Sequence, residues 1–136
     1  MFTEEQRLFA GGLAALPALG HFLGMKHTDI ITDYHVHVYF DADTTQQARD
    51  LCEAARDQFG VTMGRMHERP VGPHPMFSCQ LSASPAQFLE LLPWVALNRN
   101  GLTIFAHPST GDHLADHTDH VIWLGESQPL NLSIFE

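Results

Sequence analysis

The sequence predicts an α+β domain of the ferredoxin-like kind, an antiparallel sheet with two helices on one face. Three observations support this: the chain length, a strand–helix–strand–strand–helix–strand order of its periodic segments, and turn residues at their ends. The 136 residues, 44% of them hydrophobic, suit a single core, because a chain of about 100 to 150 residues can bury about two-thirds of its unfolded surface.

The first strand is read at Asp33 to Phe40, where Tyr34, Val36, Val38 and Phe40 alternate with His35, His37 and Tyr39, so that both histidines share a face. Asp43 and Thr44 then cap a helix, Thr45 to Phe59, whose apolar stripe is Ala48, Leu51, Cys52, Ala55 and Phe59 and which Gly60 ends. Val61 to Met66 reads as a second strand. Three prolines at 70, 73 and 75 make a stiff loop before a third strand, Met76 to Ala83. Ser84 and Pro85 open a second helix with Phe88, Leu89, Leu91, Leu92 and Val95 as its stripe, ending near Asn98 to Gly101. Leu102 to Ala106 is a fourth strand, His107 to Asp119 a polar turn, and His120 to Leu124 a last short strand. The helices cover one sheet face, and the other is expected to be bare. It must then meet a second subunit or line a ligand pocket, so a homodimer is expected.

Residues 1–29 read as an N-terminal extension to a domain over 30–136. Thr3 with Gln6 forms a capping-box pattern for a helix over residues 4–16. The apolar stretch from Leu8 to Leu23 is interrupted by Gly11, Gly12, Pro17 and Gly20, is shorter than the ~20 residues a membrane span needs, and follows Glu4 and Glu5 instead of a basic segment. No membrane association is expected. Seven Lys and Arg against 16 Asp and Glu give a net charge of −9 with no basic stripe, which argues against nucleic acid as a partner. Cys52 and Cys79 cannot form a disulfide framework and belong to no C-x-x-C pair, so a reducing cytoplasm is the natural compartment.

Ten histidines in 136 residues call for a cause. In the predicted topology the first and fourth strands are antiparallel neighbours, which brings His35 and His37 near His107. Neutral imidazoles gathered in this way suit a divalent first-row metal: Fe(II) with open positions, or zinc by ligand type alone. Of the run Asp112 to Glu126, His120 and Glu126 are read as the residues aimed inward, with Glu126 a further candidate ligand, while His113 and His117 sit in an acidic segment that looks solvated. His74, held between two prolines, is a candidate for proton transfer, and Arg65 and Arg69 for pairing with a substrate carboxylate. Spacing alone leaves open a blander account, in which strand-end histidines are surface polar residues and the proline loop is a rigid connector.

Several longer blocks carry a resemblance that spacing does not supply. Residues 34–40 (YHVHVYF), 64–75 (GRMHERPVGPHP) followed by Met76 and Phe77, 93–101 (PWVALNRNG), 107–112 (HPSTGD), 116–120 (DHTDH), 123–126 (WLGE) and 129–135 (PLNLSIF) resemble the DOPA 4,5-dioxygenase family. The resemblance covers about residues 30–136. It implies an extradiol non-haem Fe(II) dioxygenase acting on a small aromatic diol and O2, with 4,5-cleavage of L-DOPA to a seco-DOPA that cyclises to betalamic acid. In that chemistry a histidine beside the metal, His74 or His120, supplies a proton. The competing expectation is a metal-binding or zinc-dependent non-oxygenase domain on the same scaffold.

Overall fold

The computed structural model describes residues 24–136. The chain divides after Ile30 into two units. In the first, the described residues end in one 3-10 turn, Thr28–Ile30. The helix expected over residues 4–16 lies outside the described residues.

In the second unit, Ile31–Glu136, the alternating segment forms β1 (Asp33–Phe40), with Val36, Val38 and Phe40 buried in the core and His37 and Tyr39 buried on the opposite face. Helix α1 (Thr45–Phe59) buries Ala48, Leu51, Cys52 and Ala55 and ends where Gly60 takes a left-handed conformation, φ 72°, that a side chain would strain. Thr44 holds the N-cap position without a side-chain cap bond. Its hydroxyl instead donates to the Asp41 carboxylate and accepts from the Asp41 N–H, closing the turn before the helix.

The second strand is shorter than its apolar pattern: β2 covers Thr62–Met63 alone. The reason is a bulge. Gly64 N–H donates to Gln80 and His67 N–H to Ser78, so Arg65 and Met66 together face the single residue Cys79, and pairing resumes only as an isolated bridge at His67. Gly64 suits this close approach, because a Cβ there would come within 3.2 Å of the Gln80 carbonyl oxygen.

Strand β3 (Phe77–Ala83) leads into α2 (Pro85–Asn98), which opens with a full capping box. The Ser84 hydroxyl accepts from Gln87 N–H while the Gln87 side chain accepts from Ser84 N–H. Strand β4 (Ile104–Ser109) begins later and runs further than its sequence pattern, through Pro108. Tyr39 N–H donates to the Thr103 carbonyl, so the alternate residues 103, 105 and 107 bond to β1 while Pro108 faces away. On that side β5 (Ile122–Leu124) has already ended at the Ala106–Ile122 pair, so the missing proline N–H costs no ladder bond. A single-turn helix α3 (His113–Asp116) and a 3-10 turn, Leu132–Phe135, complete the described fold.

The sheet order is β2-β3-β1-β4-β5, with every pair antiparallel. This is the expected ferredoxin-like arrangement with β5 added beside β4. Leu81, Leu91, Val95 and Ile104 join the β1 residues in the core between sheet and helices, and the Tyr34 ring stacks on Phe88 at 3.8 Å. The second face differs from expectation. It is not bare, because the ring of His74 from the proline loop and the ring of His117 beyond α3 lie over it. His37 and His107 are each 3% exposed and Phe105 is fully buried. Polar and aromatic side chains from connecting segments cover what two helices cover on the other side.

Two substitutions test this account. Leu81→Ala removes a fully buried side chain and should lower unfolding free energy by about 2 to 5 kcal/mol. Ser84→Ala, which removes one half of the capping box, should cost about 1 kcal/mol, both read from urea denaturation midpoints.

Candidate metal centre

Residues directly opposite one another in an antiparallel ladder share a sheet face, and the register of β1 with β4 sets His35 opposite His107 and His37 opposite Phe105. Three imidazoles from two adjacent strands therefore converge. One ligand nitrogen from each of His35, His37 and His107 lies within 4.8 Å of the others. The Nε2 atoms of His37 and His107 approach to 3.3 Å, a separation at which two neutral imidazoles share either a proton or a cation between their lone pairs.

The orientation of these rings follows from their hydrogen bonds. A backbone carbonyl can only accept, so the 2.9 Å contact between His107 Nδ1 and the Pro108 carbonyl fixes a proton on Nδ1 and leaves Nε2 with its lone pair directed at His37. His35 lies 3.6 Å from the Asp33 carboxylate, two residues earlier on the same face. Two buried imidazoles, one with its lone pair set by a carbonyl, and a half-buried third are a donor set that fits a divalent transition metal.

Burial disfavours the charged form of His37, His107 and His74. Desolvation, reinforced by the neighbouring histidines, holds His37 well below the ordinary histidine range. Desolvation lowers His107 to about 4 against the opposing effect of its bond to the Pro108 carbonyl, and lowers His74 to about 4 as well.

Around the three imidazoles stand residues of two kinds. His74 reaches in from the proline loop, its ring 4.1 Å from that of His37 and its Nδ1 2.7 Å from the Tyr39 hydroxyl. Tyr39 is 1% exposed and its hydroxyl makes no other hydrogen bond among the described residues. A buried O–H without an acceptor is costly, so tyrosine donates, His74 Nδ1 accepts, and the His74 proton sits on Nε2. Burial also pushes the Tyr39 phenol up, which keeps it protonated. Beside His107 is His117, half-buried, its ring 4.2 Å from that of His107. Its Nδ1 donates to the His113 carbonyl at 2.6 Å, so Nε2 carries a free lone pair. Desolvation again lowers its affinity for a proton. Phe105 and Trp123, stacked at 4.6 Å, extend the same face as a flat apolar wall.

The remaining residues singled out in the sequence lie elsewhere. His120 binds the Asp116 carboxylate through Nδ1 at 2.9 Å and makes no ring contact with the central histidines among the described residues. Asp116 also accepts from the backbone and hydroxyl of Thr110. Although burial opposes ionisation, these bonds hold the Asp116 carboxyl below its usual range and tie the end of β4 to the segment that carries His117. Glu126 is exposed, and the β4–β5 register carries the chain past Leu124 toward Thr103, away from His107 by about 17 Å at 3.4 Å per residue. Arg65 and Arg69 are exposed at the bulged edge of the sheet and line a concavity that includes none of the central histidines.

Tyr39 and Phe105 were within reach of sequence reasoning, since each lies two residues from a candidate ligand and period two places it on the same face. His117 gave no such signal, because a single helical turn sets its direction.

A family model described as the Dopa 4,5-dioxygenase family matches residues 34–134. An uncharacterized 21.2 kDa protein of Botryotinia fuckeliana is 38% identical over 114 residues, which cover 74% of this chain and 62% of that one. A DOPA 4,5-dioxygenase of Amanita muscaria is 34% identical over 112 residues, which cover 76% of this chain and 49% of that one. The chain thus spans about half to three-fifths of the length of these curated relatives. Among solved structures, a candidate dioxygenase of Nostoc punctiforme superposes with a TM-score of 0.69 at 40% identity, covering 79% of this chain and 93% of that one.

The lowered proton affinities give a stability test with a definite sign. His74 and His107 take up a proton near pH 6.5 when unfolded and only near about 4 when folded, so between these values the unfolded chain holds more protons. Chelator-treated protein should lose stability as pH falls from about 6.5 toward 4, by up to about 3 kcal/mol for each of the two histidines. Urea midpoints at pH 7, 5.5 and 4.5 read the effect, and a flat profile would show that the histidines are not held neutral.

Proposed function

The chain belongs to the Dopa 4,5-dioxygenase family, and from the three imidazoles gathered in it we propose an extradiol dioxygenase that holds Fe(II) on His35, His37 and His107 and uses O2 to open the ring of a catechol such as L-DOPA. The observation that supports this most is the convergence of three buried or half-buried ligand nitrogens within 4.8 Å on one sheet face, with the His107 lone pair set by a backbone carbonyl. All three ligands come from one chain. Bound there, Fe(II) would supply a Lewis acid that favours ionisation of the catechol hydroxyls and a redox partner for O2.

The protein's own groups do the rest. His74, with its proton held on Nε2 by the Tyr39 hydroxyl, presents a hydrogen-bond donor to a reacting oxygen of the substrate or O2, and Tyr39 keeps it in that tautomer. His117, with a bare Nε2 beside His107, accepts the proton that a catechol hydroxyl gives up. Phe105 and Trp123 offer the flat apolar surface an aromatic ring needs, and burial around His37 and Phe105 limits water. The product of L-DOPA is a seco-DOPA that cyclises to betalamic acid. His120, with Nδ1 engaged by Asp116, supports the His117 segment in this scheme, and Glu126 takes no part in it.

A second reading has its own support, since three histidines are also a zinc donor set that leaves a position for water. That site would be a hydrolase or lyase and would consume no O2.

The deciding experiment is anaerobic reconstitution with Fe(II), followed by L-DOPA and simpler catechols in air, with visible absorbance and O2 uptake recorded together. A yellow product with matching O2 loss is expected. Bound metal with no O2 loss for any catechol would favour the zinc reading. His35→Ala and His107→Ala should each lose both metal and activity. His74→Ala should keep its metal and slow turnover by roughly 100- to 10,000-fold.

A further inference from the structure

The bulge that shortens β2 gathers a charge pattern at odds with the rest of the protein. Arg65 stands in the bulge, Arg69 follows four residues later in the loop, and Arg49 projects from α1 toward the same place. Together with Met66, His67 and Glu68 they line one open concavity of about 510 Å³. The chain has only 7 Lys and Arg against 16 Asp and Glu, so three of its seven cationic side chains surround one small volume. Acidic partners are abundant, and Arg56 finds one in Asp57. Yet none of Arg49, Arg65 and Arg69 has a hydrogen bond or ion pair among the described residues, and Glu68 is the only carboxylate in the lining.

Three cationic side chains lining one concavity, with a single carboxylate among them, favour a ligand of opposite charge. A guanidinium is a planar fork of N–H donors that matches the spacing of carboxylate and phosphate oxygens. The concavity lies at the β2 edge, two strands from β1 and so about 10 Å from it across the sheet. It shares no lining residue with the central histidines.

We propose that Arg49, Arg65 and Arg69 form a second binding site, separate from the metal centre, for a small oxyanion with two or more negative charges, of the phosphate or dicarboxylate class. The site does not depend on the reaction at the histidines and stands whether or not that centre is an oxygenase. It also gives a different role to Arg65 and Arg69 from that expected in the sequence, where they pair with the carboxylate of the same catechol.

The test uses the full chain, titrated with inorganic phosphate in one arm and succinate in the other, at ionic strength held constant with sodium chloride, and followed by calorimetry and NMR. Saturable one-to-one binding of at least one anion is expected, and the arm that binds more tightly identifies the source chemistry. Arg65→Gln and Arg69→Gln should each weaken it by about tenfold, the loss of one charge-assisted contact. Glu68→Gln should tighten it, an effect that neither misfolding nor general screening produces. Non-saturable behaviour with both anions, or binding unchanged in Arg65→Gln and Arg69→Gln variants that keep the wild-type near-ultraviolet dichroism, would overturn the proposal. KM raised in these variants for L-DOPA but not for unsubstituted catechol would also overturn it, by returning both arginines to the substrate.

Discussion

Because β1 and β4 run antiparallel with His35 opposite His107, the donor set exists only at that register. A slip of one residue would put Ala106 or Pro108 in place of His107 and turn one strand's histidines into the helix-covered core. What prevents the slip is on the other face. Val36, Val38, Ile104 and Ala106 are all fully buried against the helices, so the apolar packing that stabilises the domain also sets the spacing of the imidazoles. Stability and site geometry are thus two results of one alternation along two strands.

That arrangement has an energetic cost. Histidine at 3% exposure gives up hydration that its charged form needs, and several imidazoles close together make protonation of any one of them worse. The surrounding hydrogen bonds fix which nitrogen holds the proton on each ring: a carbonyl at His107, a carbonyl at His117, a phenol at His74. Two neutral rings over the centre therefore differ in what they present, an N–H at His74 and a lone pair at His117.

The parts of the molecule legible in the sequence are those where a local period decides the structure. β1 and α1 have the boundaries that alternation, helical spacing and Gly60 indicate, and Ser84 with Pro85 marks the start of α2. The limits of β2 and β4 were not legible. The first depends on a bulge whose only sign is Gly64 near the edge, and the second runs through a proline that is tolerated because a neighbouring strand stops short. The convergence of His35, His37 and His107 was readable once strand adjacency was assumed, because opposite positions share a face. His117 was not, since its acidic neighbours look solvated in one dimension, whereas in three the Asp116 carboxylate turns inward to Thr110 and takes the segment with it.

The Asp116 knot also bears on how such a protein can change over generations. Thr110, Asp116 and His120 close a short stretch of chain on itself through three bonds to one carboxylate. That stretch hangs from the end of β4 without contributing a strand to the sheet. Its contents can vary in length and chemistry as long as the closure is kept, while the strands that bear the central imidazoles stay as they are. Descendants of this architecture can therefore set a different side chain beside the central imidazoles by altering about ten residues outside the sheet.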